Sequence, residues 1–162
     1  MLTLQQCDES SPKQLTELEK LPPATQSGKG TFGCLVDGKA WVIERVSNVQ
    51  ADYQIGHLSV SAGLSNDSFI AIMSIDVNDN DLKEQLYVLT ESGLNGNYAR
   101  YYDYNSSCEY LTTNTYTGIV SITHLDKINF IISGTFEFEV YSADCTQVIK
   151  ITDGRFDIHY AA

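Results

Sequence analysis

From Thr31 onward, apolar and polar residues alternate in short runs broken by turn residues, the period-two signature of strands half-buried in a sheet. Asp37-Gly38 separates Phe32–Val36 from Ala40–Glu44 and predicts a type I′ hairpin, because both turn positions need positive φ. Leu58, Val60, Ala62 and Leu64 alternate with His57, Ser59, Ser61 and Gly63. In the next run Phe69, Ala71, Met73, Ile75 and Val77 share one side while Ile70 and Ile72 take the other, which predicts a strand covered on both faces. Asn95-Gly96, between Gln85–Thr90 and Tyr98–Tyr104, predicts a second hairpin. The longest alternation, Phe130–Val140, sets Phe130, Ile132, Gly134, Phe136, Phe138 and Val140 against Ile131, Ser133, Thr135, Glu137 and Glu139. Near the end the apolar positions change parity, from Ile149 and Ile151 to Phe156, Ile158 and Tyr160. One residue must be absorbed between them, and Asp153-Gly154 is expected to do so as a β-bulge with Gly at positive φ. About nine or ten strands at hairpin spacing predict an all-β fold, an antiparallel sandwich or barrel.

Residues 1–30 carry no such period. Leu15, Leu18 and Leu21 predict one helical turn over Gln14–Lys20, which Pro22 and Pro23 terminate. Ala24–Gly30 is small, polar and Gly-containing, the composition of a linker. The expected organisation is an N-terminal tether over 1–30 and a single β-rich domain over 31–162. A second helical turn is expected at Asn80–Glu84.

Composition narrows the function classes. The 162 residues include 21 acidic and 10 basic side chains, a net charge of −11. Four acids and three bases fall in residues 1–30, so the acidity belongs to the body. An acidic body argues against nucleic acid, whose phosphates need clustered Lys and Arg. No apolar run approaches the ~20 residues of a membrane-spanning helix.

Chemistry-bearing motifs are few. Gly28-Lys29-Gly30-Thr31 is not a phosphate loop, and no Gly-x-Ser-x-Gly elbow occurs. His57, His124 and His159 lack ligand spacing. Asp76–Asp81 with Glu84 offers oxygens for Ca²⁺, yet Asp81 stands where an EF-hand needs Gly and Tyr87 where it needs Glu. Glu137 and Glu139 share a strand face, an arrangement read as its wet side rather than a catalytic pair. No catalytic residue, cofactor or metal ligand is therefore assigned. Tyr98, Tyr102 and Tyr104 share a face with Arg100 between them and form the candidate ligand face, for a glycan or a protein. Cys108 and Cys145 both sit at strand ends beside loops and are expected to form a disulfide, which requires an oxidising compartment. Cys34 alternates with Phe32 and Val36 as a buried hydrophobe. Met1–Cys7 ends like a lipoprotein signal, in a Cys after apolar residues, but lacks the positive start and has Gln6 where a small residue is usual.

Leu21-Pro-Pro-Ala-Thr-Gln-Ser-Gly28, Thr31-Phe-Gly-Cys-Leu-Val-Asp-Gly38 with Ala40-Trp41, Thr117-Gly-Ile-Val-Ser-Ile-Thr123, Leu125-Asp126-Lys127, Ile131-Ile-Ser-Gly-Thr-Phe-Glu-Phe138 and Ile151-Thr-Asp-Gly-Arg-Phe-Asp157 are the longest distinctive stretches. Together they resemble a family of uncharacterised Bacteroidota cell-envelope lipoproteins. The resemblance implies a signal peptide, a lipidated Cys7 and a β-rich periplasmic or surface domain anchored at the outer membrane. The expected function is accordingly a non-catalytic binding or structural β-domain held to the envelope by lipid. The alternative is a hydrolase of glycans or another envelope component.

Overall fold

The computed structural model describes residues 14–65, 70–93 and 96–162; Cys7, Phe69 and Asn95 lie outside them. Eleven antiparallel strands make up nearly all of the fold: β1 (Thr31–Val36), β2 (Lys39–Ile43), β3 (Val49–Gln54), β4 (His57–Ser65), β5 (Ile70–Asn78), β6 (Leu86–Leu89), β7 (Tyr98–Asp103), β8 (Cys108–Leu111), β9 (Gly118–Asp126), β10 (Ile131–Ser142) and β11 (Gln147–His159). Among the described residues, helix is confined to 3-10 turns at Leu18–Lys20 and Val46–Asn48. The turn at residues 80–81 is not helical, unlike the expectation for Asn80–Glu84.

The strands run β2-β1-β11-β10-β8-β7-β5-β4-β3, and β9 pairs with both β10 and β6. Ala161 closes the circuit. It makes a parallel bridge with Asp52, accepts a hydrogen bond from the Tyr53 amide and donates one to the Ala51 carbonyl. The result is a nearly closed barrel-like sheet, one of the two architectures expected and the one that removes most exposed edges. Its interior holds Phe32, Leu58, Met73, Ile75, Ile132 and Ile151, all essentially inaccessible to solvent. These are the inward members of the alternations read above. Free Cys34 is buried among them, and loss of hydration pushes its thiol far above the ordinary range.

Local signals were obeyed where the partner is adjacent. Asp37 (φ 47°) and Gly38 (φ 78°) form the tight turn of β1 and β2. The Asn95-Gly96 signal misleads: β6 pairs with β9, whereas β7 pairs with β5 and β8. A turn-former reports a change of direction, and the sheet chooses the partner. Ile70 and Ile72 also do not supply the second covered face of β5. Ile70 is exposed, and the outward residues that become buried are Ser74 and Asp76.

The bulge in β11 lies where the parity change requires it. Gly33 faces Arg155 but Leu35 faces Thr152, and Phe136 faces Gly154 but Phe138 faces Ile151. Asp153, not Gly154, takes the positive φ (54°), which Asp tolerates better than most residues. Gly154 serves packing instead, because a Cβ there would enter the ring of Phe136. The neighbouring cross-strand pair, Gly134 with Phe156, repeats the arrangement: a Cβ on Gly134 would lie 2.6 Å from Cζ of Phe156. Two glycines thus let two phenylalanines lie flat across the ladder.

Residues 24–30, linker-like in composition, are docked on the barrel through Asp157. This carboxylate is 1% exposed. It accepts hydrogen bonds from Thr25 Oγ1 (2.6 Å), the amides of Ser27 (3.0 Å), Gly28 (2.7 Å) and Lys29 (3.2 Å), and Ser133 Oγ (2.8 Å). Small residues suit an exposed linker and a backbone wrapped around an anion equally well. Composition could not separate the two, because the anion lies about 130 residues away.

Candidate functional site

The outward face of β4, β5 and β7 is built from three aligned rows. Register places Ser59 opposite Asp76 and Asp76 opposite Tyr98, with Ser74 opposite Arg100 and Ile72 opposite Tyr102. The β4 residues are small (Ser59, Ser61, Gly63) and those of β7 are large, so one side of the face is low and the other carries rings.

Asp76 lies at its centre, 5% exposed. Ser59 and Tyr98 are its cross-strand partners on either side, Ser74 lies on the same face, and His57 Nε2 lies 3.3 Å from Oδ1. Burial pushes the carboxyl above its ordinary range; the hydroxyls of Ser59 and Ser74 and the charges of His57 and Arg100 oppose that shift without cancelling it. Tyr98 is raised as well, first by burial and then by the Asp76 charge. Residues from both flanking strands, His57 and Tyr98, thus lie against one buried carboxylate.

The four residues of the candidate ligand face occupy its rim. Arg100 and Tyr104 are exposed, while Tyr98 and Tyr102 are half-buried. The rings of Tyr102 and Tyr104 meet edge to face with centroids 4.6 Å apart, a favoured geometry for aromatic pairs. Arg100 lies 3.3 Å from Glu109 of β8. Tyr101 and Tyr110 point inward and pair in the core. The face therefore offers aromatic edges and planes, one oriented guanidinium–carboxylate pair and an imidazole.

Sequence reasoning missed Asp76, His57, Ser59 and Ser74 as parts of this site. Alternation did put His57 and Ser59 on one side, but only strand register brings them to Asp76. Asp79 accepts from the Tyr87 hydroxyl (3.0 Å), and Asp81 pairs with Lys83 (2.7 Å). Among the described residues no three His, Cys, Asp or Glu side chains converge on a metal position. The other histidines are elsewhere, His124 3.6 Å from Glu84 and His159 against the Asn129 carbonyl.

Beyond β8, the outer surface of β9, β10 and β11 carries two cavities. One cavity of about 480 Å³ includes Val88, Ile119, Glu137, Glu139 and Lys150, and a second of about 520 Å³ continues from it past Ile119 and Glu137 to Arg155. Both Glu residues of β10 face this groove, but Glu139 is paired with Lys150 at 3.9 Å.

Cys108 and Cys145 are joined, with Cα atoms 6.2 Å apart. The bridge ties the start of β8 to the β10–β11 turn.

Fold and site together define an antiparallel barrel-like domain with a polar, aromatic outer sheet face organised around a buried carboxylate. Over residues 29–157 the chain matches the family described as domain of unknown function DUF6252, and it belongs to that family. No curated protein and no solved structure matches it.

Proposed function

We propose that this chain is a lipid-anchored protein of a Bacteroidota-type cell envelope, held at the outer membrane through Cys7, whose β-domain binds a glycan without transforming it. The observation that carries the reading is the rim of Tyr98, Arg100, Tyr102 and Tyr104 over the buried Asp76. Exposed tyrosines present flat apolar rings for the C–H faces of sugars, with hydroxyls at their edges. Oriented charged groups beside them supply directional hydrogen bonds to sugar hydroxyls. The Asp76–His57 pair is instead the arrangement of an oriented base, and it is the observation on which the second reading, a hydrolase of envelope glycans, rests. The Cys108–Cys145 disulfide fits an oxidising envelope compartment.

Titration calorimetry of the full chain against a panel of envelope oligosaccharides tests the reading. A saturable ligand is expected, with Tyr102→Ala and Arg100→Ala each binding at least about tenfold more weakly, some 1.4 kcal/mol. A panel without a ligand, or variants that bind like the parent, would reject it. The anchor is tested separately by metabolic labelling with a fatty-acid analogue in the native host: label on the parent and none on Cys7→Ala is the expected pair.

A further inference from the structure

We infer that the groove over β9, β10 and β11 receives the side chain of a lysine in an extended polypeptide partner, with Glu137 as its counter-ion. The geometry is a stripe across three strands. Val88 of β6 faces Ile119 of β9, and Ile119 faces Glu137 of β10, in direct register. At about 4.8 Å between strands, the stripe runs roughly 10 Å from an apolar start to a carboxylate. A lysine stem reaching ~6 Å from its Cα would lie along Val88 and Ile119 and bring its ammonium to Glu137.

Three further observations support this occupant. Val88 is 53% exposed, as is Leu86 on the same face of β6, so an apolar surface stands open beside the acid. Of the other charged groups, Glu139 lies 3.9 Å from Lys150 and Arg155 donates to the carbonyls of Pro22 and Asp153, while the exposed Asp153 side chain lies at the far end of the second cavity. Among the described residues Glu137 makes no ion pair or side-chain hydrogen bond, and it lies where the two cavities join. The groove continues on both sides of it, from Thr135 to Glu139 along β10. That span, about 13 Å at the strand rise, exceeds a single amine and suits four residues of extended chain. The acidic body adds long-range attraction for a cationic partner.

The test is an NMR titration of the ¹⁵N-labelled full chain with hexylammonium, with hexanol and tetramethylammonium as controls. Hexylammonium is expected to saturate with shifts centred on Val88, Ile119 and Glu137. Glu137→Gln, an isosteric change at an exposed position, is expected to weaken it at least tenfold and Val88→Ser about threefold, and neither control should saturate. Equal binding by Glu137→Gln, or unsaturating shifts spread over the acidic surface, would overturn the site. A capped Gly-Gly-Lys-Gly-Gly peptide then separates sources: binding tighter than hexylammonium supports a polypeptide, and weaker binding overturns that assignment. Because this site shares no residue with the rim of Tyr98, Arg100, Tyr102 and Tyr104, its failure leaves the glycan reading untouched, and the converse holds.

Discussion

Asp157→Ala is expected to lower stability by about 3–4 kcal/mol, near the top of the range for single substitutions. The carboxylate is the acceptor for Thr25, Ser27, Gly28, Lys29 and Ser133 at once, and alanine leaves all five donors without it. Ser133 is itself buried, so its hydroxyl cannot turn to water. Residues 24–30 should release from the barrel, seen as loss of amide protection at Ser27, Gly28 and Lys29 in hydrogen exchange. The same site gives the protein an acid sensitivity of known sign. Burial alone would raise the Asp157 carboxyl, but the hydrogen bonds from Thr25, Ser27, Gly28 and Ser133 prevail and hold it at about 2, below the ordinary 3.8. A depressed carboxyl contributes stability that is complete above the unfolded value and fades as pH falls through the folded one. The difference in melting temperature between the parent and Asp157→Ala should therefore narrow between about pH 4 and pH 2. A constant difference across that window would show that the ionised carboxylate is not what holds the segment.

Reduction of the Cys108–Cys145 bridge, or its replacement by Cys108→Ser with Cys145→Ser, is expected to cost about 3–4 kcal/mol. On the chain-entropy account this follows from the loop that the bridge closes, a sequence separation of 37. Topology adds a second reason. β8 meets β10 at one register pair, Leu111 with Tyr141, whereas β10 and β11 are paired along most of their length. The disulfide crosses that thin seam, helped by the Tyr110 hydroxyl on Gln147 (3.2 Å) and by Tyr116 stacked on Tyr141. A fall in melting temperature on the order of 10 °C on reduction is expected. Two more thiols should become alkylatable in unfolded protein after reductant than before it. An unchanged melting curve would remove the bridge from the stabilising contacts.

Much of the fold was legible because its causes are local. Alternation along β4 and β10 marks which residues face the core, since successive strand side chains point to opposite sides whatever the partner. Asp37-Gly38 announces its own turn. The parity change between Ile151 and Phe156 demands a bulge for any core at all. Other features depend on contacts that no window of sequence contains. The need for glycine at 154 follows from Phe136 on the adjacent strand. The pairing of β6 with β9 overrides the Asn95-Gly96 signal between β6 and β7. At the candidate site the rim was readable, because Tyr98, Arg100 and Tyr102 are neighbours on one strand. Its buried centre was not: His57 and Ser59 come from one strand, Asp76 from the next and Tyr98 from a third.

By itself, then, the sequence determined the class of structure, the inward and outward members of most strands, the disulfide partners and the acidic charge of the body. These are set by side-chain chemistry and by a backbone period of two. Only the tertiary structure decided that the sheet closes through Ala161, that residues 24–30 clasp Asp157, and that Asp76 and Glu137 occupy such different surroundings. One carboxylate is buried among donors and the other stands open beside Val88 and Ile119. Strand register brought each set of neighbours together, and register follows from how the whole barrel packs.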